Sequence, residues 1–286
     1  LSKNELILRP PNIWRYRELL PYKLTEDIIS LGEMMTPLIE MPLTARRLGG
    51  TSLLVKDEGR MPTASFKARG IAMAVTMAKS FGIKRIAIPT AGNAGAALAA
   101  YATRAGIEAY VFTPEDTPEV TLKEIAFHGA KTFRVKGLID TCGQVVSGGR
   151  EEMGWFDMST LKEPYRIEGK KTMGFELAEQ LGWSLPDIIF YPTGGGTGLI
   201  AMWKAFMELN SIGWIEGPLP RMVAVQTTGC APIVRAFELG LDSVSQPWTP
   251  VKTKVHGVRV PKPLGDKLIL KTIRESEGFA IAVDDD

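Results

Sequence analysis

Short runs of β-branched and apolar residues alternate along most of the chain with longer stretches whose apolar positions recur at helical spacing. The strand-like runs cover 53–55, 85–89, 109–113, 132–135, 188–191, 222–226 and 279–283. The helical stretches cover 66–80, 94–105, 170–181, 199–209 and 232–239, with Gly or Pro marking many of the turns. Strands that alternate with helices predict right-handed βαβ units, hence an α/β protein whose open, mostly parallel sheets are flanked by helices. Residues 1–50 break the rhythm, being Pro-rich with apolar residues scattered around Trp14, Tyr16 and Tyr22. They read as a wrapping arm with a helix near 44–48. The stretch 243–263, which holds Pro247, Pro250, Pro261 and Pro263, reads as a loop that covers a surface or rims a site.

Composition narrows the class without naming it. A chain of 286 residues with 45% hydrophobic and 23% charged content suits a soluble protein of one large domain or two lobes sharing a crevice. Its 34 basic and 32 acidic residues are mixed along the chain with no basic stripe, which argues against a nucleic-acid partner. Cys142 and Cys230 stand far apart, so a disulfide framework or a Cys-type zinc site is not expected, and a reducing, cytoplasmic setting is. His128 and His256 are isolated, so no metal site is expected; His128 reads as the C-terminal residue of a helix. No apolar run approaches the ~20 residues that span a bilayer, so no membrane partner is expected. The opening at Leu1 rather than Met is read as the loss of a leading segment.

In an open parallel sheet, ligands bind beyond the carboxyl ends of the strands, and three strand-to-helix turns carry chemistry there. The first runs Pro62-Thr63-Ala64-Ser65-Phe66-Lys67, with Thr63 or Ser65 expected to cap the helix and Lys67 in its first turn. There the helix dipole and partial burial both disfavour the ammonium form, which suits an amine that must be neutral to form a Schiff base with an aldehyde. A lone lysine is more often a solvated surface residue. The second turn, Thr90-Ala91-Gly92-Asn93, offers an amide that both donates and accepts, or else a structural turn with an Asn cap.

The third turn, Thr193-Gly194-Gly195-Gly196-Thr197-Gly198, exposes successive backbone N–H groups at a helix start, an anion cradle suited to phosphate. A bare structural glycine loop is the alternative. No Lys stands at Walker spacing, and although Gly196-x-Gly198-x-x-Ala201 loosely matches a dinucleotide fingerprint, the next strand ends in Gln226-Thr227, without an acidic ribose ligand. Taken together, a helix-start lysine, an amide turn and a phosphate cradle match the C4′ aldehyde, O3′ and 5′-phosphate of pyridoxal phosphate.

Asp57-Glu58-Gly59, Pro62 to Gly70, Ala91-Gly92-Asn93 and Gly194 to Gly198 together resemble the fold type II pyridoxal-phosphate enzymes. Glu168-Gly169-Lys170-Lys171-Thr172, and Pro261-Lys262-Pro263 leading to Arg274-Glu275-Ser276-Glu277-Gly278, are most similar to the threonine synthases. The resemblance implies a cofactor-binding domain of residues 1–75 and 160–286, a smaller domain of 76–159 and the cofactor in the crevice between them. It implies that Lys67 attaches the cofactor and shuttles protons with Phe66 beside it, that Asn93 bonds O3′, and that Gly194, Gly195, Gly196, Thr197 and Gly198 hold the phosphate. The implied reaction is O-phospho-L-homoserine plus water giving L-threonine and phosphate. Arg166 is the candidate for the substrate phosphate, with Ser159, Thr160 and Thr90 assisting.

A homodimer acting on a small amino acid is implied. The rivals are another lyase of the fold type, such as a serine or threonine dehydratase, and a non-catalytic homologue that binds the cofactor. The chain departs from the family pattern at Ala64, Ala68, Ala91 and Ala94, and the family's Ser or Thr facing the pyridine nitrogen is expected beyond Asp286.

Overall fold

A computed structural model describes residues 1–22, 28–50, 52–90 and 92–286; Ala91 lies outside the described residues. The arm opens with α1 (Lys3–Ile7), where Ser2 and Glu5 form a capping box. A 3-10 stretch over Ile13–Leu19 follows. Leu6, Ile13, Trp14 and Tyr16 are buried in the main core, and the Tyr16 phenol donates to Glu179. The arm is thus stapled to the body by apolar burial and one shared carboxylate, which Arg15 also pairs at 2.9 Å. Next, β1 (Leu38–Glu40) and β2 (Leu54–Lys56) form an antiparallel ribbon, with α2 (Pro42–Arg47) in their connection where a helix was expected.

The chain then enters the βαβ rhythm: α3 (Lys67–Ser80), β3 (Arg85–Pro89), α4 (Asn93–Ala105), β4 (Glu108–Pro114), α5 (Glu119–Phe127), β5 (Lys131–Val135), α6 (Ile139–Gly148), α7 (Arg150–Met153) and β6 (Phe156–Asp157). These strands form a parallel sheet in the order β5-β4-β3-β6, with Ile86 opposite Ala109 and Val111 opposite Thr132. His128 closes α5 as its C-cap, as expected. After it come α8 (Tyr165–Gln180), β7 (Ile188–Pro192), α9 (Thr197–Ser211), β8 (Arg221–Thr227), α10 (Pro232–Glu238), α11 (Asp266–Glu275) and β9 (Phe279–Val283). A second parallel sheet, β7-β8-β9, results. The α/β class and the two mostly parallel sheets therefore match expectation. Two short strands are absent from the sequence pattern, β1 with three residues and β6 with two.

The helices α3, α8 and α9 pack side by side, and glycines set the spacing where α3 crosses α8. A Cβ on Gly70 would come within 2.5 Å of the Arg166 carbonyl oxygen, and one on Gly169 would strike the Arg69 carbonyl oxygen. Only glycine permits that approach. Beneath the crossing Arg69 is fully buried and neutralised. Its Nε and Nη2 donate to Glu58 at 2.6 and 2.8 Å, while Nη1 and Nη2 donate to Glu176 at 2.6 and 2.7 Å. Lys56 adds a contact to Glu176 at 3.1 Å, and Thr36 and Thr172 complete the shell. Burial alone would raise the Glu58 carboxyl, but the Arg69 guanidinium holds it below the usual range. Among the described residues no helix is long and apolar enough to cross a membrane.

Candidate active site

Lys67 opens α3 after an unusual turn. Thr63 and Ala64 both adopt left-handed backbone, φ 57° and 50°, before Ser65 becomes extended and Phe66 takes the cap position. The expectation that Thr63 or Ser65 caps this helix is corrected. Thr63 Oγ1 donates instead to the Pro62 carbonyl at 2.6 Å, and Ser65 Oγ is buried with no partner among the described residues. The two left-handed residues shift the chain so that the capping position falls on Phe66, which has no acceptor. The Lys67 amine lies 3.7 Å from the centre of the Phe66 ring. Burial first, then the charge of Arg166, push its pKa down to about 8.

Arg166 belongs to the pocket of Lys67. The sequence pattern started this helix at 170, but α8 begins at Tyr165, because Glu163 and Pro164 form its start: Glu163 Oε2 accepts the Arg166 N–H at 3.0 Å. Arg166 and Lys170 therefore stand one turn apart on one helix face. Arg166 is only 4% exposed, so its charge is buried rather than solvated. Its Nη1 donates to the Met158 carbonyl at 2.9 Å, and its Nε has no partner among the described residues. Glu163 Oε1 is equally unpartnered, and burial raises that carboxyl against the opposing charge of Arg166.

Lys170, which the sequence pattern placed at a helix start and gave no role, is fully buried. Its amine donates to Thr197 Oγ1 at 2.8 Å and lies 5.6 Å from the same Phe66 ring. The signal that finds it is the i, i+4 spacing from Arg166, visible once the helix start is moved to the Glu163-Pro164 step.

The loop before α9 holds the third element. Among the described residues no acceptor pairs with the backbone N–H groups of Gly195, Gly196, Thr197 and Gly198, although Gly196, Thr197 and Gly198 are buried. Gly196 has φ 69°, and a Cβ on Gly198 would run into the Tyr191 hydroxyl, itself buried and unpartnered. The 243–263 loop does rim this site. The Gly257 carbonyl oxygen lies 2.9 Å and Val258 Cα 3.0 Å from where a Gly194 Cβ would stand. Thr160 flanks the same loop, 3.8 Å from the corresponding point on Gly195. Gln226 braces the loop by donating to the Thr193 carbonyl at 3.0 Å while its oxygen accepts the Ile233 N–H at 2.8 Å.

The remaining expected residues sit at the ends of the four-stranded sheet. Asn93 is the first residue of α4 and solvent-exposed, with no side-chain bond among the described residues. The 62–64 turn and α3 both pack on α4, so the helices opened by Asn93 and Lys67 adjoin. Two hydroxyls are less available than expected. Thr90 Oγ1 accepts the Gly92 N–H at 3.1 Å, and the Ser159 hydroxyl donates to Asp157 within its own turn.

A helix-start amine lowered toward neutrality, buried cations with a single unpaired carboxyl, and a row of free N–H groups fit an aldehyde-bearing phosphate ester. Fold and site together define a cofactor enzyme of this kind. The chain belongs to the pyridoxal-phosphate dependent enzymes, whose family model matches residues 29–286, and pyridoxal phosphate is its cofactor.

Within that class it is 36% identical to the threonine synthase of Methanocaldococcus jannaschii, over 100% of this chain and 70% of that protein. Solved structures show the same fold at lower identity. Maize serine racemase gives a TM-score of 0.75 at 22% identity, covering 88% of this chain and 72% of that one. Threonine deaminase isoform 2 of Solanum lycopersicum gives 0.71 at 20%, covering 93% and 74%. These neighbours share the fold, and together with the family match they make the chain a fold type II pyridoxal-phosphate enzyme.

Proposed function

We infer that the chain converts O-phospho-L-homoserine and water into L-threonine and inorganic phosphate. Similarity of the whole of this chain to 70% of the Methanocaldococcus jannaschii threonine synthase supports this reading. The observation that carries it is Arg166, a buried guanidinium with an unpartnered Nε whose charge reaches Lys67. The γ-phosphate is a third anion beside the cofactor phosphate and the substrate carboxylate, and a buried guanidinium with a free donor is suited to receive it.

When bound, pyridoxal phosphate supplies an electron sink for the substrate α-carbon. Lys67 would hold it and, once the substrate amine has taken its place, the freed amine would remove the proton from substrate Cα and then one from Cβ. Arg166 holds the γ-phosphate, which leaves Cγ as inorganic phosphate and favours departure by offsetting its charge. A proton returns to Cγ, water adds its oxygen at Cβ, and Lys67 returns the proton to Cα. Phe66 packs the attaching amine, Asn93 is assigned to the cofactor O3′, and Gly194, Gly195, Gly196, Thr197 and Gly198 to its phosphate. Thr160 borders this loop, and Ser159 and Thr90 are assigned with it to the substrate site. The chain divides into a cofactor-binding domain of 1–75 and 160–286 and a smaller domain of 76–159. We assign it to the cytoplasm as a homodimer; the two free, buried cysteines suit a reducing setting.

One observation favours a dehydratase instead: the Thr90 and Ser159 hydroxyls are engaged within their own turns. Assaying the holoenzyme with each substrate separates the two. Phosphate and threonine formed from O-phospho-L-homoserine, with turnover cut by Arg166→Ala, support the synthase reading. Ammonia released from threonine, with no turnover of the phosphorylated substrate, overturns it.

A further inference from the structure

The geometry points to Lys170 as a cofactor-phosphate residue: acting through Thr197, it gives the 194–198 cradle its positive charge and takes up a proton when a phosphate monoester is held there. This rests on the reading that the cradle receives the cofactor phosphate.

The cradle is made of N–H groups and one hydroxyl, and none of these carries a formal charge. A phosphate monoester is close to a dianion near neutral pH, so a nearby cation adds more to its binding than another neutral donor does. Lys170 is placed for that task. It reaches from α8 to the first residue of α9, where Thr197 Oγ1 accepts its proton at 2.8 Å. Thr197 is the only acceptor it has among the described residues, although an ammonium carries three donors. Because the Thr197 oxygen accepts from Lys170, its own O–H is left free to donate into the cradle.

The surroundings explain why the charge is conditional. The residue is 0% exposed, and the charged groups facing it are Arg166 on its own helix, Lys67 on α3 and Glu163 ahead of α8. Burial, then Arg166 and Lys67, hold the Lys170 amine well below the usual lysine range, against a smaller opposing pull from Glu163. A buried lysine with one hydroxyl for company is a costly residue unless an anion completes its surroundings. Methionine or glutamine would fill the space without that cost.

The test compares pyridoxal 5′-phosphate with pyridoxal, which lacks only the phosphate, by absorbance titration of the cofactor-free protein. The ratio of their dissociation constants cancels effects on Lys67, which both ligands share. In Lys170→Met the preference for the phosphorylated form falls by about tenfold or more, the scale of one charge-assisted bond, while pyridoxal affinity stays unchanged. In the unsubstituted protein the preference declines as pH rises from neutral into the alkaline range. There the phosphate is already fully ionised and only a protein group can lose the proton.

Retention of the full preference in Lys170→Met, or equal weakening of both ligands, overturns the assignment. Should that variant fail to fold, the pH series on the unsubstituted protein decides alone, and a flat preference is fatal. An unsubstituted protein that binds both ligands equally overturns the cradle reading instead, so the two failures are distinguishable.

Discussion

Two buried charge clusters lie between the same two helices, and they are built on opposite principles. Around Arg69 every charge is answered: Glu58 and Glu176 bracket the guanidinium and Lys56 balances Glu176. Two residues earlier on α3, Lys67 shares its pocket with Arg166 and Lys170, and the one nearby carboxyl, Glu163, makes no ion pair with them among the described residues. A closed cluster fixes where elements sit. An open one, left with excess positive charge and unpartnered donors, is a binding site for anions. The glycine crossing of α3 and α8 holds the two side by side, so the rigid cluster positions the reactive one.

The sharpest way to break this contrast is at Lys67. Lys67→Ala is expected to abolish covalent cofactor attachment, seen as loss of the visible absorbance band and of label fixed by borohydride, and to reduce turnover by several orders of magnitude. Melting of the cofactor-free protein should be little changed, because no ion pair is lost. A coloured, reducible variant would show that another amine carries the cofactor.

The closed cluster should answer in stability instead. Glu176→Ala leaves Arg69 and Lys56 buried with Glu58 as their remaining carboxylate, a loss of about 3–5 kcal/mol by denaturant unfolding. Arg166→Ala should change stability by no more than about 1 kcal/mol, since it removes an uncompensated cation, yet it should depress turnover of the phosphorylated substrate. Equal stability losses in the two variants would erase the distinction between the clusters.

How much of this was written in the chain differs between the two. The Lys67 turn, Asn93 and the 194–198 loop sit at strand-to-helix junctions, where local patterns are strongest, and they could be read directly. So could the α/β rhythm, because most strands have at least five residues. The partners of Arg69 are far less legible. Glu176 lies 107 positions away, and nothing local says that it folds back on Arg69. Lys170 is hidden for a different reason: the helical spacing sets the start of this helix at 170, whereas α8 begins at Tyr165, so the spacing that pairs Lys170 with Arg166 does not show. The helix cap at residue 63 or 65 failed because a propensity rule cannot foresee two consecutive left-handed residues.

Titration sharpens the comparison further. The Lys67 amine sits at about 8 in the folded protein, below the ordinary lysine value of 10.5. Between those values the unfolded chain binds the extra proton, so the stability of the cofactor-free protein gains from this group as pH rises through the window. Cofactor attachment needs the neutral amine, and its rate should climb through about pH 8 and then level off, measured by stopped-flow absorbance. A profile with no inflection there would place the attaching amine in another environment.

The smallest expected effect concerns the turn that delivers Lys67. Ala64 holds φ 50°, where a Cβ crowds the following carbonyl, and its side chain is exposed, so removing the methyl loses no packing. Relief of roughly 1–2 kcal/mol is partly cancelled because glycine is freer in the unfolded chain. Ala64→Gly is therefore expected to stabilise the protein by about 0.5 kcal/mol. Thr63 is a poorer place to ask, because its hydroxyl bonds the Pro62 carbonyl and its loss would be counted too. If the left-handed pair at 63 and 64 is a geometric device for aiming Lys67, the variant keeps the same backbone and cofactor attachment is unchanged while the unfolding midpoint rises. A fall in the midpoint would mean that the alanine methyl contributes a contact, or that residue 64 leaves the left-handed region in solution.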